Sequence, residues 1–214
     1  MGRTSSAKQR LITAMADLVH RKGYEAVGVE EVCRTAGVKK GSFYHFFASK
    51  RDLMIAALED RWNMATAYVV PQAFNRSLPP LARLARFFSH MADLETANQK
   101  AGGAALGCPF GNIAAEVGTS EPLLARRADQ AFCGLASLIR DTLTEAKASG
   151  DIDKRLDVNE AADAIVAYFE GLSLLSKVRN DPSIIGRLGK RAVQLALTAR
   201  PPDAPQTRKL RRRR

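Results

Sequence analysis

The chain has 214 residues, of which 46% are hydrophobic and 7% aromatic, and it carries a formal net charge of +11. No apolar run approaches the roughly 20 residues that a membrane-spanning helix needs, and an amphipathic pattern begins close to the first residue, where a signal peptide would be apolar. Cys33, Cys108 and Cys133 are not spaced like a zinc site or a disulfide framework. We therefore expect a cytoplasmic protein without a metal, a cofactor or a membrane attachment.

Basic residues are concentrated at the two ends of the chain. Residues 1–52 contain ten Lys and Arg against five Asp and Glu, and residues 200–214 contain seven against one. The 147 residues between them contain sixteen of each. A basic N-terminal part on an electrically neutral body favours nucleic acid as its partner. The proline-rich and basic tail is predicted to be disordered; it either adds nonspecific affinity for DNA or is a cloning remnant.

Apolar residues recur with the period of an α-helix through most of the chain, and no stretch alternates like a β-strand. Glycine, proline and capping residues separate the helical segments. We predict an all-α protein of about nine helices, with Pro71 ending the fourth. The predicted helices span 6–22, two short segments within 29–48, and then 49–68, 81–98, a short segment within 106–118, 122–148, 157–178 and a last helix that ends near 198.

Residues 29–51, VEEVCRTAGVKKGSFYHFFASKR, have the pattern of two short helices around a glycine turn. Gly37 ends the first helix, because glycine adopts a left-handed backbone conformation without steric cost. Val38, Phe43 and Phe47 are expected to point inward. The second helix is short and basic with small polar residues at its start, which suits a DNA major groove.

The residues on the outer surface of this unit are therefore the candidates for contacts with DNA. We expect Tyr44, His45 and Lys50 to contact phosphate groups, and Lys39 and Ser42 to influence which base sequence is preferred. The complete candidate set is Thr35, Lys39, Lys40, Gly41, Ser42, Tyr44, His45 and Lys50.

These residues carry a resemblance to the TetR family of bacterial transcriptional regulators. The segment GVKKGSFYHFFASKRDL, residues 37–53, follows the family pattern Gly-Val-x-x-Gly-x-x-Tyr-x-x-Phe-x-x-Lys-x-x-Leu at every fixed position. Gly28 departs from it, because the family usually has a Ser or Thr there that caps the second helix and contacts phosphate. The resemblance implies a helix-turn-helix domain at 1–50, a ligand-binding and dimerisation domain at 51–199, and a tail at 200–214.

The resemblance also implies a homodimer that binds a near-palindromic double-stranded DNA operator and is released by a small-molecule effector. Dimerisation would use apolar residues of the last two helices and is favoured over the alternative that they form only the core of one protomer. These residues are Ile165, Tyr168, Leu172, Leu175, Ile184, Leu188, Val193 and Leu197. The candidates for lining the effector pocket are Trp62, Phe88, Met91, Phe110, Phe132 and Tyr168. Each could instead be an ordinary core residue.

Cys108 precedes a short predicted helix and is flanked by Gly107 and Pro109. Backbone amides at a helix start lower the pKa of a thiol and favour the reactive thiolate. A Gly-Cys pair here resembles a subset of TetR regulators that sense electrophiles or oxidants, and the resemblance implies Lys177 as the partner of the cysteine. The alternative is that Cys108 fills a tight helix junction and Lys177 is solvated.

Two other classes of protein fit the sequence less well than a regulator does. His20, His45 and His90 lie on separate predicted helices without metal-ligand spacing, and no nucleophile or phosphate-binding motif is present, so we expect no enzyme. A nonspecific architectural DNA-binding protein would suit the basic tail. However, such a protein does not need a long neutral helical body, so a sequence-specific repressor is the favoured prediction.

Overall fold

The structure is a computed structural model that describes residues 2–198, with side chains from residue 6 onward. Its described residues form nine helices and no strand, so the all-α prediction is confirmed. The helices are α1 (Gly2–Lys22), α2 (Val29–Ala36), α3 (Lys40–Phe46), α4 (Lys50–Met64, continued by a π-helical turn Ala65–Val69 and an α-turn Val70–Ala73), α5 (Pro80–Gly102), α6 (Pro109–Val117), α7 (Pro122–Ser149), α8 (Val158–Arg179) and α9 (Ser183–Thr198). No helix within residues 2–198 combines the length and apolar character needed to cross a membrane. The predicted tail lies outside the described residues.

Helices α1 to α3 and the first half of α4 form a head with one hydrophobic core. Phe43, Leu11 and Leu53 are 0% exposed at its centre. Gly37 ends α2 in the left-handed conformation with φ 61°, as the sequence predicts. The turn directs α3 across α2, so that Phe43 is buried and the opposite side of α3 faces solvent.

Helix α4 continues past the point where the sequence predicts its end. Pro71 lies inside the continuous helical segment and not beyond it. Proline has no N–H group and its ring clashes with the carbonyl group one turn earlier. The π-helical turn at Ala65–Val69 lies directly before Pro71, and a wider turn of this kind accommodates such a disruption without ending the helix.

The core of the head extends into the remainder of the molecule. Ile113 and Val117 of α6 and Leu124 of α7 are at most 1% exposed and belong to the same cluster as the residues of α1 to α4. A domain boundary near residue 50 therefore stays a prediction, since apolar packing crosses it. Helix α6 lies at the junction between the head and the other helices.

Helices α5, α7, α8 and α9 form a trunk with a second core. Asp157 caps α8, because its Oδ1 accepts the backbone N–H groups of Asn159 and Glu160 at 2.8 and 3.3 Å. Four residues that the sequence suggests for dimerisation are instead buried within this protomer core: Ile165, Leu172, Ile184 and Val193. The apolar residues left exposed on α8 are Tyr168, Leu174 and Val178.

Candidate functional site

The outer surface of α3 carries most of the residues predicted to contact DNA. Tyr44 is 56% exposed and its ring packs edge-on against Phe43 at 5.0 Å, which holds the phenol group outward. The other candidates on this surface are likewise accessible: Thr35, Lys39, Lys40, Gly41 and His45 are exposed, and Ser42 is half-buried. No atom lies within 4 Å of a Cβ built on Gly41, so this part of the helix is open to close approach.

Lys40 already has a partner in the free protein. Its ammonium group lies 2.8 Å from the Glu30 carboxylate, and this contact lowers the pKa of Glu30 and raises the pKa of Lys40. Both side chains are well exposed, and such surface pairs stabilise a fold only slightly. A phosphate group could therefore replace Glu30 as the partner of Lys40 at little cost.

Lys50 is placed differently from the expectation that it contacts phosphate. Its Nζ donates hydrogen bonds to the backbone carbonyl groups of Tyr24 at 3.0 Å and Val27 at 3.1 Å, and it lies 4.1 Å from the centre of the Tyr24 ring. The ammonium group thus fixes the segment between α1 and α2 from the inside. In this arrangement the ammonium group of Lys50 stabilises the head, and a contact between Lys50 and phosphate stays a prediction.

The start of α2 lacks a side-chain cap. Gly28 is its N-cap residue with φ −94° and ψ 155°, and no side chain accepts the free N–H groups there. A Cβ at Gly28 would meet no atom within 4 Å. The departure from the family pattern therefore removes one potential contact without an evident steric reason.

A cavity of about 440 Å³ lies in the trunk next to the junction with the head. Of the six pocket candidates, Trp62, Met91, Phe110 and Phe132 line it. Phe88 is 0% exposed in the trunk core, and Tyr168 is 40% exposed on the outside, so neither lines it. Their chain neighbours Phe87 and Phe169 line the cavity instead, because adjacent residues of a helix point about 100° apart.

Cys108 lines this cavity and is the N-cap residue of α6, where its Sγ accepts the backbone N–H group of Gly111 at 3.5 Å. Burial, and then the neighbouring Glu170 carboxylate, raise the pKa of the thiol well above its ordinary value. The expected depression of this pKa is therefore wrong. The amides of a helix start act weakly here against desolvation and a nearby negative charge.

Lys177 does not pair with Cys108. Its Nζ donates to Oδ1 of Asn112 at 3.1 Å, and its side chain packs beside Gly107. The thiol instead lies near the Glu170 carboxylate, whose negative charge contributes to the raised pKa of Cys108. Cys33 is buried in the core of the head and Cys133 is exposed, and all three cysteines are free thiols.

Hydrogen bonds link the wall of the cavity to the head. Nε2 of His20, a buried residue of α1, lies 2.8 Å from the carbonyl oxygen of Gly107, and the N–H group of Gly107 donates to Glu95 at 2.5 Å. Burial lowers the pKa of His20. The Gly107 peptide therefore lies between α1 of the head and α5 of the trunk.

At its other end, α6 holds the turn that follows α1. The Glu116 carboxylate accepts the backbone N–H groups of Tyr24 at 2.8 Å and Glu25 at 2.9 Å. Helix α6 is thus attached to the head near both ends, through the peptide that precedes Cys108 and through Glu116. A displacement of the cavity wall beside α6 would act directly on the α1–α2 segment.

Sequence reasoning missed five residues that matter at these sites: His20, Glu116 and Glu170, and the rings of Phe87 and Phe169. His20 and Glu116 act through partners about 90 positions away in the chain. The spacing of residues within a short segment does not predict hydrogen bonds between groups so far apart in the chain. Phe87 and Phe169 are the chain neighbours of the predicted pocket residues Phe88 and Tyr168, so the helical pattern indicates the correct segments but not the correct faces.

Two family profiles match the chain. Residues 11–57 match that of bacterial regulatory proteins of the tetR family, and residues 80–191 match the tetracyclin repressor-like C-terminal domain. The transcriptional regulator AcuR of Cereibacter sphaeroides is 36% identical over 189 residues, which cover 83% of this chain and 80% of AcuR. The transcriptional repressor DhaR of Mycobacterium sp. strain GP1 is 24% identical over 181 residues, covering 85% of this chain and 87% of DhaR.

Solved structures are similar over the same length. The crystal structure of the regulatory protein TetR from Rhodobacter sphaeroides has a TM-score of 0.77 and 30% identity, with 88% of this chain and 97% of that chain covered. The reduced form of Escherichia coli NemR has a TM-score of 0.75 and 19% identity, with 90% of this chain and 98% of that one covered. At that identity the likeness to NemR is one of fold.

Proposed function

This chain belongs to the TetR family of DNA-binding transcriptional regulators, and from that premise we propose that it is a dimeric repressor released from its operator by a small molecule that binds in the trunk cavity. The observation that carries the proposal is the position of His20. This residue belongs to the first helix of the head, and it also lines the cavity. A ligand in the cavity and DNA on the head would therefore act on one continuous structure.

On the DNA side, α3 enters the major groove with its exposed surface toward the bases. Tyr44, Lys39 and Lys40 lie on this surface and can contact phosphate groups or base edges. Seven residues of helix bury too little area for a specific complex by themselves. Two heads placed about 34–36 Å apart by a two-fold dimer would reach successive major grooves and contact a near-palindromic site.

The dimer is proposed to form through the exposed side of α8. Leu174 is 59% exposed, Val178 one turn later is 73% exposed, and Tyr168 on the same helix is 40% exposed. Leu195 of α9 is 55% exposed as well. Packing this apolar surface against its copy would form a four-helix interface from two α8 and two α9 helices. Replacing Val178 with Glu should give a monomer in sedimentation and abolish operator binding.

Release from DNA is proposed to run through α6. A ligand that shifts the Gly107–Cys108 segment would move the helix that begins at Pro109. Glu116 of this helix would then carry the motion to the amides of Tyr24 and Glu25. A change in the tilt of each head alters the distance between the two α3 helices, and coupling of about 1–3 kcal/mol is typical of such transitions.

A second candidate signal is an electrophile or oxidant that reacts with Cys108. The observation in its favour is that the thiol lies on the cavity wall. The raised pKa of Cys108 opposes it, because the thiolate is the reactive form. To separate this candidate from a noncovalent effector, the unmodified protein and Cys108→Ser are both treated with N-ethylmaleimide, and their release from the operator is compared. Operator release that persists in Cys108→Ser would exclude this candidate.

Selection from random duplex DNA followed by fluorescence anisotropy tests the main proposal. We expect an inverted repeat with half-sites about one helical turn apart, and an affinity that falls steeply with salt. Tyr44→Ala should weaken binding to every sequence. Lys154→Ala is the control, because Lys154 is exposed in the segment between α7 and α8 and does not belong to the head. The absence of any preferred inverted repeat at moderate ionic strength would refute the proposal.

A further inference from the structure

The polar groups around the cavity are almost all satisfied by protein partners. Arg61 forms an ion pair with Asp17 at 2.7 Å, and Glu95 accepts hydrogen bonds from Gly107 and Asn98. His20 is bonded to the carbonyl group of Gly107. These contacts occupy the Arg61 guanidinium group, both carboxylate oxygens of Glu95 and Nε2 of His20.

Glu170 is the exception among the described residues that line the cavity. Oε1 of Glu170 is buried and has no hydrogen-bond partner. The polar group described next to the carboxyl group as a whole is the thiol of Cys108. No ion pair with a Lys, Arg or His of residues 6–198 involves this carboxylate. A buried carboxyl group without a counter-ion is costly to keep ionised. Burial accordingly raises the pKa of Glu170.

The cavity that Glu170 lines is largely apolar and aromatic. Trp62 and Phe110 meet edge-on with their centroids 6.3 Å apart, and Phe87 and Phe169 meet at 5.0 Å. Ring faces attract cations, most strongly where water is excluded. The volume of about 440 Å³ lies within the range of ordinary ligand sites. The terminal torsion of a glutamate is broad, so the carboxyl group can turn toward a ligand in the cavity.

We propose that the effector is an amphipathic organic amine, bound as an ammonium ion, with its N–H groups donated to Glu170 and its apolar body against the aromatic rings of the cavity. This inference rests on the proposed effector cavity and specifies the chemical class of its ligand. The ammonium group supplies both missing elements at once, a counter-ion and a hydrogen-bond donor for Oε1. A carboxylate ligand would face repulsion at Glu170, and a neutral ligand would leave the charge unmatched.

Three probes with one apolar body and different head groups test this inference: 3-phenylpropylammonium, 3-phenylpropanol and 3-phenylpropionate. Trp62 is the single tryptophan of the chain and lines the cavity, so its fluorescence reports binding directly. Titrations use the full-length protein at neutral pH. We expect the ammonium probe to bind at least about tenfold more tightly than the alcohol, a difference of about 1.4 kcal/mol, and the carboxylate to bind most weakly.

Glu170→Gln keeps the shape of the side chain and removes the charge, so it should abolish the preference for the ammonium probe. Glu160→Gln is the matched control, because Glu160 lies exposed in the first turn of the same helix. The comparison of head groups in the unmodified protein stands even if Glu170→Gln is unstable. Equal or tighter binding of the alcohol or the carboxylate, no binding of any probe, or an unchanged preference in Glu170→Gln each overturns the inference.

Operator affinity without probe is measured in parallel and separates the two proposals. Glu160→Gln should bind the operator as well as the unmodified protein, since Glu160 is exposed at the start of α8 and belongs neither to α3 nor to the cavity lining. A protein that selects the ammonium probe but no inverted repeat would contradict the repressor function alone. A protein that binds an inverted repeat but shows no preference among the probes contradicts the assignment of the ligand alone.

Discussion

The head and the trunk use their apolar residues in opposite ways. In the head, Leu11, Phe43 and Leu53 are 0% exposed, and the space between α1, α4 and α6 amounts to only about 10 Å³. In the trunk, the helices leave about 440 Å³ open. A filled core resists deformation, so the head presents one surface to its partner. The trunk contains the cavity in which we propose that a ligand binds.

The two carboxylates near α6 show the same contrast. Glu116 accepts two backbone N–H groups of the head at 2.8 and 2.9 Å. Glu170 has a buried oxygen without a partner on the trunk side. The Glu116 carboxylate has its hydrogen-bond donors in the free protein, whereas Oε1 of Glu170 has none. A complete hydrogen-bond set stabilises one conformation, and an incomplete one favours a bound partner.

The largest expected effect on stability concerns the filled core of the trunk, where α9 packs against Phe88. A methyl group at Gly189 of α9 would overlap the ring of Phe88, which is 0% exposed. Gly189→Ala should lower the free energy of unfolding by about 3 kcal/mol, the upper part of the usual cost of overpacking. Urea denaturation measures this. Gly186→Ala on the same helix is the control, because its Cβ would lie 3.4 Å from Ala92 and should be tolerated.

Gly134→Ala sharpens this comparison. A methyl group there would overlap the indole of Trp62 just as severely, but Trp62 borders the cavity. We expect Gly134→Ala to cost clearly less stability than Gly189→Ala, and the intrinsic fluorescence to shift as the indole moves. Equal losses in the two variants would mean that the cavity wall does not yield.

The next prediction compares Lys50, whose ammonium group is bonded within the head, with Lys40, which is exposed on α3. Lys50→Met removes two hydrogen bonds to carbonyl groups and should lower stability by about 2 kcal/mol. The salt dependence of DNA binding should stay unchanged, because the ammonium group faces inward. Lys40→Ala should have the opposite effects. Stability should stay constant, and the slope of the logarithm of DNA affinity against the logarithm of salt concentration should decrease by about one, the value expected for one lost phosphate contact. Melting curves and anisotropy at several salt concentrations check both.

A smaller effect is expected at the junction. Glu116→Gln replaces a charged acceptor of two N–H groups by a neutral one that can accept fewer. Looser attachment of the α1–α2 segment should weaken operator binding by roughly fivefold, about 1 kcal/mol. It should also reduce the response of operator binding to any ligand of the cavity. Glu160→Gln serves again as the control, and a ligand response as large as that of the unmodified protein would contradict the role given to α6.

The smallest effect tests the departure at Gly28. Gly28→Ser would place a hydroxyl group at the N-cap of α2, three positions before Glu31, in the arrangement of a capping box. Stability should rise by roughly 0.3 kcal/mol, because glycine is only slightly inferior to serine at this position. Operator affinity should rise more than stability if the hydroxyl group also reaches a phosphate. A lower melting temperature would show that the cap geometry is unsuitable.

Much of the fold could be predicted because its signals are local. Gly37 ends α2, Gly150 ends α7 and Asp157 caps α8, each through its own backbone or side chain. Pro71 misled the prediction, since a π-helical turn before it let α4 continue. The surroundings of Cys108 could not be predicted. The start of a helix is visible in sequence, whereas a carboxylate brought from Glu170 is not.

The sequence by itself therefore determined the helices, the family and the exposed surface of α3, because hydrophobic period, caps and turns act over a few residues. Only the tertiary structure decided which aromatic rings line the cavity, which direction Lys50 faces, and which carboxylate lies beside Cys108. Those outcomes depend on how helices far apart in the chain are rotated against one another. A rotation of α5 by one helical position decides whether Phe87 or Phe88 lines the cavity and which of the two lies in the core of the trunk.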